Sequence, residues 1–284
     1  IKKKENVSNG NFYPSKNTTL VAYNINVDGS DRKEIRFSNI DTREVLKDIL
    51  KDSKFSNVAW RSDKGVFYKK NANKNIMAKD STYQLYYHEI GTNQEDDKLI
   101  YDVTEKESDI DFFTTKNRLF ITETSKDELS KSMYFINLEK DTFEKEVIYE
   151  NDTTNFDYLG YQNNKIYIST KDYDWGEVRC FDIKNRSEVK EVIPQIYNNL
   201  LLGTYFYDNY IICKYRTIES YFLRVYDVEG NFIRKFDAPE NMNFSIRFYD
   251  NETKDLFVTF FSQVISAQNF KLNIEKDDVR HFYN

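Results

Sequence analysis

Histidine, cysteine and proline are scarce in this sequence, and each scarcity removes a class of answers. Only two histidines occur in 284 residues, His88 and His281. A general-base imidazole needs an orienting carboxylate and a nucleophile beside it. Asp97 or Glu89 can serve His88 as the carboxylate, but no serine is marked near them, so His88 reads as a half-buried strand histidine. His281 lies close to the C-terminus and joins no motif. There is no G-x-S-x-G elbow, no G-x-x-x-x-G-K-[ST] loop, no H-E-x-x-H and no C-x-x-C. Two cysteines, Cys180 and Cys213, make no disulfide framework. They read as buried free thiols, which points to a reducing compartment. No apolar run is long enough to span a bilayer, so no membrane partner is expected. The first methionine is Met77 and the chain opens on Ile1 without a signal-peptide pattern. Residue 1 is therefore read as the start of a fragment or a processed form.

Aromatic residues are abundant instead. They make up 16% of the chain, with 22 Tyr and 22 Phe. Tyrosine buries its ring while its hydroxyl stays wet, which suits sheet faces that meet solvent. The net charge is −6, and 41 Lys and Arg are interleaved with 47 Asp and Glu. That pattern argues against a nucleic-acid partner. The basic opening IKKKEN reads as a frayed terminus.

The stretch from Phe55 to Tyr101 reads as four short strands, Ser56–Trp60, Gly65–Lys70, Gln84–Ile90 and Lys98–Tyr101, with a polar insertion at Asn71–Thr82. The rest of the chain repeats it. Second strands align at Leu20, Phe67, Leu119, Ile166, Ile211 and Leu256, in steps of 47, 52, 47, 45 and 45 residues. Third strands align at Ile35, Leu85, Met133, Val178, Leu223 and Phe270, in steps of 50, 48, 45, 45 and 47. This is the period of a four-stranded β-propeller blade. The fold class is therefore all-β, six antiparallel blades, in one propeller domain over residues 1–284.

The other five units are Asn9–Leu50, Ile110–Tyr149, Asn155–Pro194, Leu200–Phe236 and Asn243–Tyr283. TREVLKDILKD could form an amphipathic helix, but the period calls for an outer strand there. Turns are expected at Asp63-Lys64-Gly65, Asn163-Asn164, Asp208-Asn209, Glu229-Gly230-Asn231 and Asp250-Asn251. Pro14, Pro194 and Pro239 each sit at a unit margin.

Two acidic groups have the residue types of a cation site. Asp172, Asp174 and Glu177 surround Trp175 and could bind a hard cation, but they lack the glycine-punctuated spacing of a calcium loop and read as a solvated hairpin tip. Glu95-Asp96-Asp97 reads as a turn. No catalytic residue, cofactor or metal is expected in this chain.

Four stretches resemble the propeller domain of the prolyl oligopeptidase family of serine peptidases. They are Asp28-Gly-Ser-Asp31 with KEIRFSNIDTREVLKD, Lys54-Phe-Ser56 with NVAWRSDKGVFYKK, Leu85-Tyr-Tyr-His-Glu-Ile-Gly-Thr92 with NQEDDKLIY, and FVTFFSQVISAQNFKLNIEKDDV from Phe257. The sister group, oligopeptidase B, shares much of the third. The family propeller has seven blades against six here, which would put a missing blade before Ile1. Its α/β-hydrolase domain, with the Ser-Asp-His triad, would follow Asn284. The resemblance implies a cytoplasmic parent enzyme whose propeller caps the active site, so that only short peptides reach the serine, while this chain alone is inactive. It also implies that Phe67 and Ile136 line the outer substrate pocket; both read equally well as blade core. Two partners are implied, the hydrolase domain of the same polypeptide and short peptides. The alternative is a free-standing propeller that binds a protein or peptide. A sugar-cleaving propeller would need a facing carboxylate pair, and the sequence marks none.

Overall fold

The computed structural model describes residues 7–27, 33–53, 56–71, 82–103, 108–152, 156–170, 174–276 and 278–281. The IKKKEN opening, the Asp28-Gly-Ser-Asp31 motif, Lys54, Phe55, Asp172 and most of the insertion at Asn71–Thr82 lie outside the described residues. The strands fall into six antiparallel sheets of four, each in simple meander order.

Sheet 1 is β1 (Val7–Pro14), β2 (Leu20–Val27), β3 (Lys33–Asn39) and β4 (Val45–Leu50). Sheet 2 is β5 (Val58–Arg61), β6 (Gly65–Asn71), β7 (Tyr83–Glu89) and β8 (Lys98–Asp102). Sheet 3 is β9 (Asp109–Thr115), β10 (Arg118–Thr124), β11 (Lys131–Asn137) and β12 (Lys145–Asp152). Sheet 4 is β13 (Phe156–Gln162), β14 (Lys165–Thr170), β15 (Glu177–Asp182) and β16 (Lys190–Ile193). Sheet 5 is β17 (Leu200–Tyr207), β18 (Tyr210–Arg216), β19 (Tyr221–Asp227) and β20 (Phe232–Asp237). Sheet 6 is β21 (Asn243–Asp250), β22 (Asp255–Phe261), β23 (Gln268–Asn273) and β24 (Val279–His281). All twelve alignment positions fall in the expected second and third strands. Among the described residues the only helical turn is a short 3-10 segment, Gln94–Asp96, and no helix is long and apolar enough to cross a membrane.

TREVLKDILKD forms a strand, as the period requires. In β4, Asp48 and Leu50 turn inward while Val45 and Ile49 face out, an alternation of two that a helix cannot give. Second strands are different. In β6 the first five residues are all buried, because the sheet is covered on both faces.

The chain divides into two compact units, Ile1–Thr153 and Thr154–Asn284. In unit 1, one apolar cluster joins sheets 1 and 2 through Phe37, Leu50, Trp60, Val66 and Tyr68. A second joins sheets 2 and 3 through Phe67, Leu85, Tyr87, Phe112, Leu119 and Ile136. Unit 2 repeats the plan. Tyr167, Val178, Ile211 and Tyr215 join sheets 4 and 5, and Ile212, Leu223, Phe244 and Val258 join sheets 5 and 6. One polar device recurs in both units. Lys69, fifth in β6, donates to the Ile110 carbonyl at the start of the next sheet (2.7 Å). Lys214, fifth in β18, donates to the Phe244 carbonyl (2.7 Å) in the same way.

The expected turns are present. Asn163 and Asn164 both take left-handed backbone (φ 48° and 61°), as a type I′ hairpin demands. Asp208 (φ 50°) and Gly230 (φ 89°) serve the turns of sheet 5. At Asp250-Asn251 the left-handed residue is Lys254 (φ 62°), further along the same turn. Tyrosine departs from expectation. Tyr68, Tyr134, Tyr167 and Tyr215 are fully buried rather than wet at the hydroxyl. Tyr68 can be, because its hydroxyl donates to Asp97 (2.8 Å) and accepts from Gln94 (3.0 Å).

Candidate functional site

Phe67 and Ile136 both lie in unit 1. Phe67 sits in β6 opposite Ala59 and Tyr87. Its ring packs against Tyr87 (5.0 Å between centroids) and edge-on to Phe143 (6.1 Å). Ile136 sits in β11 opposite Leu119 and Lys145. The structure brings both into one core cluster, and neither exposes any surface.

What meets solvent above them is a ring and a cation that sequence reasoning did not single out. Phe143, in the turn between β11 and β12, is half-buried and held at φ 49°. A bulky residue in left-handed backbone is a genuine outlier. Arg61, at the end of β5, holds that turn in place. Its guanidinium donates to the Leu138 carbonyl (2.8 Å) and to Asp141 (2.7 Å), and lies over the rings of Phe143 (5.1 Å) and Tyr87 (5.7 Å). The bond from Arg61 holds the Asp141 carboxyl below its ordinary range. A lone Arg after AW in the sequence gave no sign of this reach across 80 residues.

His88 is more committed than a half-buried strand histidine. It is 1% exposed, with Nδ1 2.7 Å from Asp97 and Nε2 3.1 Å from Asp48. Phe37 stacks on the ring. Asp48 also accepts from the Gly91 amide (2.5 Å), and Asp97 from Tyr68. Asp97 is thus the partner that sequence proximity offered, Glu89 is exposed, and Asp48 comes from sheet 1 unforeseen. Burial alone would push the His88 pKa down. The bonds and charges of Asp97 and Asp48 outweigh it, so the pKa lies above the ordinary imidazole value. Both ring nitrogens face carboxylates, and only the imidazolium donates from both. A histidine so bound is a structural clasp, with no nitrogen left for a substrate proton. His281, in β24, stands edge-on to Phe270 (4.9 Å).

The acidic loop separates into two environments. Asp174 is exposed, whereas Glu177 is buried and paired with Arg179, so it is no part of a solvated tip. Trp175 is half-buried, edge-on to Tyr197 (5.7 Å). Glu95-Asp96-Asp97 is the turn expected, but its last member is drawn inward by His88.

A concavity of the first unit runs along the first strands of its three sheets. It is a cleft of about 560 Å³ lined from β1, β5 and β9 and by the turns that follow them. Phe12, Pro14 and Phe113 form apolar wall, and Trp60 lies in it with its indole N–H donating to the Tyr13 carbonyl (2.8 Å). Asn57 ties β5 to β9 by donating to the Phe112 carbonyl (2.9 Å). Lys16 and Lys116 are the charged lining residues.

Known proteins match both the sequence and this framework. The family model for the prolyl oligopeptidase N-terminal β-propeller domain matches residues 2–283. A prolyl endopeptidase of Elizabethkingia meningoseptica is 26% identical over 272 residues, covering 92% of this chain and 38% of that protein. A prolyl oligopeptidase A of Amanita bisporigera is 28% identical over 219 residues, covering 61% of this chain and 27% of its own length. Among solved structures, prolyl oligopeptidase B from Galerina marginata, bound to a 35mer substrate, superimposes with a TM-score of 0.81 at 16% identity. It covers 97% of this chain and 42% of its own. Oligopeptidase B from Leishmania major gives 0.79 at 13% identity, covering 97% and 40%. The chain thus spans about two fifths of these relatives' length where it matches most fully. On this match and this architecture, the chain belongs to the prolyl oligopeptidase N-terminal β-propeller family.

Proposed function

We propose that residues 1–284 form one propeller domain that gates a cytoplasmic serine peptidase cleaving short peptides after proline. The observation that carries this reading is the family match across residues 2–283 on an unbroken series of four-stranded sheets. The partners are an α/β-hydrolase domain of the same polypeptide and the short peptides it cuts. Gating is steric and conformational: the propeller excludes folded proteins, and movement between domains admits substrate. In this reading the chain itself performs no hydrolysis, and His88, bound at both nitrogens by Asp97 and Asp48, is not a free base. Phe67 and Ile136 are the proposed wall of the outer substrate pocket. In this reading substrate reaches them when the Phe143 turn, held by Arg61, moves aside.

The test is a length series. The full-length gene product is assayed on a chromogenic Gly-Pro peptide, on proline peptides of increasing length and on a folded protein. Cleavage of short peptides alone, with no turnover by the purified 284-residue chain, is expected. Equal cleavage of the folded protein would overturn gating, and turnover by the isolated chain would overturn its inactivity.

A further inference from the structure

Sheets 4 and 6, both in unit 2, share a backbone feature and put different residues on it. The first strand of each carries a one-residue bulge against its second strand. In sheet 4 the extra residue is Leu159, followed by Gly160 opposite Tyr167. In sheet 6 it is Arg247, followed by Phe248 opposite Phe257. Leu159 packs into the apolar cluster that joins sheets 4 and 5, and the bare backbone of Gly160 lies under the Phe206 ring of sheet 5. Arg247 is exposed, and Phe248 fills the glycine's place with a ring that is 60% exposed. A bulge re-aims the side chain it carries. Where sheet 4 receives its neighbour on leucine and glycine, sheet 6 presents a cation and a ring.

The guanidinium is anchored on one edge only. Its Nε donates to the Thr259 hydroxyl (3.0 Å), which donates in turn to Oδ1 of Asn269 (2.8 Å). Thr259 is buried, so the anchor is fixed. Among the described residues no side chain or carbonyl takes up the Nη atoms of Arg247 or the amide nitrogen of Asn269. The other two cations in the strands of sheet 6 are both paired, Lys271 with Asp255 (2.6 Å) and Arg280 with Asp278 (2.6 Å).

Arg247 and Asn269 border a cleft of about 510 Å³ whose described lining contains no carboxylate. Phe248, Phe257 and Phe270 form apolar wall, with the first two rings 5.8 Å apart between centroids. The volume suits a small ligand. An arginine fork matches the two oxygens of a carboxylate, and such charge-assisted bonds are the strong ones.

We propose that this cleft binds a small aromatic carboxylate, its oxygens on the Nη edge of Arg247 and the Asn269 amide and its ring against Phe248 and Phe270. The inference does not rest on the peptidase reading: the cleft belongs to unit 2, whereas Phe67 and Ile136 belong to unit 1.

The experiment is a fluorine NMR titration of the 284-residue chain with para-fluorophenylacetate at low salt. Its comparison is para-fluorophenylacetamide, which keeps the ring and loses the charge. The acid is expected to bind about tenfold more tightly than the amide, an advantage that falls as salt rises. Arg247→Gln removes that advantage, and Arg247→Lys, which keeps the charge without the fork, retains only part of it. Phe248→Ala weakens acid and amide alike. Lys184→Gln, the same change of charge at an exposed turn of sheet 4, leaves the advantage in place. Circular dichroism melts establish that each variant folds, and the acid–amide comparison on the unaltered chain decides the matter should Arg247→Gln not fold. Equal affinity for acid and amide, no binding of either, or equal loss in Arg247→Gln and Lys184→Gln would overturn the proposal. So would a peptide ending in a free phenylalanine carboxylate that binds more than about tenfold tighter than the acid, because the occupant would then be a chain terminus.

Discussion

The two units contain three sheets each, and their joints between sheets differ in particular devices, a buried histidine clasp in unit 1 and a ring laid on bare glycine backbone in unit 2. Unit 1 uses polar side chains that cross from sheet to sheet. His88 clasps Asp48, Trp60 reaches the Tyr13 carbonyl, Asn57 reaches Phe112, and Arg61 reaches Leu138 and Asp141. Unit 2 also has polar links, Gln162 to Asn209, Tyr210 to Glu275 and Lys254 to Asp208, and sets rings beside them. Phe206 lies on Gly160, and Tyr207 stacks on Tyr249 with centroids 5.0 Å apart. Tyr167 packs against Phe206 at the same distance. The lysine at the fifth position of a second strand is common to both. A polar joint is directional and can titrate, but it fails badly when one partner is removed. An aromatic joint tolerates loss of a hydroxyl, but it does not tolerate an added atom where a ring meets bare backbone.

The comparison can be broken most sharply at His88. His88→Ala leaves Asp48 and Asp97 buried without their cation, and a loss of about 3–5 kcal/mol is expected in urea unfolding. The chain has one tryptophan per unit, Trp60 and Trp175, so a Trp175→Phe background reports unit 1 and a Trp60→Phe background reports unit 2. Next in size is Gly160→Ala. A Cβ there would stand 2.5 Å from Cδ1 of Phe206, and an overpacking cost of about 1–3 kcal/mol is expected. That loss should appear in the Trp175 signal.

The third contrast is in pH. The His88 pKa is raised on folding by Asp97 and Asp48. Its contribution is therefore fully present below the unfolded imidazole value, about 6.5, and is lost as pH rises through the folded value. The groups facing it are Asp48, Asp97 and, through Asp97, Tyr68. The unit 1 midpoint is expected to fall on the alkaline side, and His88→Gln to flatten that dependence. In unit 2 the Cys213 thiol is pushed up to about 12 by burial and stays outside this window. An equal alkaline shift in both units would contradict the contrast.

Smaller effects sharpen it further. Trp60→Phe keeps most of the ring but orphans the Tyr13 carbonyl, and about 1 kcal/mol of destabilisation is expected by thermal melt. Tyr249→Phe retains the stack on Tyr207 and is expected to change stability by less than about 0.5 kcal/mol.

Repeat spacing made the sheets legible, because a blade is a local meander whose apolar runs recur with it. The covered second strands, such as GVFYK in β6, announce themselves as unbroken apolar stretches. The outer strand β4 was legible only through the period, since its own pattern also fits a helix. The site was less readable because its partners are remote in sequence. Asp97 lies nine residues from His88 and could be named, whereas Asp48 lies 40 residues away on another sheet. The burial of Tyr68 escaped for the same reason: its hydroxyl is met by Asp97 and Gln94, 29 and 26 residues away. Phe67 and Ile136 are proposed as pocket wall on resemblance alone, and the Phe143 turn packed on Phe67 had no sequence signature.

We propose above that this chain is the gate of a larger proline-specific peptidase. Its most direct test is the intact mass of the native gene product, purified from its source cells by following hydrolysis of a Gly-Pro chromogenic peptide. A mass far above 34.0 kDa that copurifies with this activity is the predicted result. A product near 34.0 kDa, without hydrolytic activity, would contradict the account.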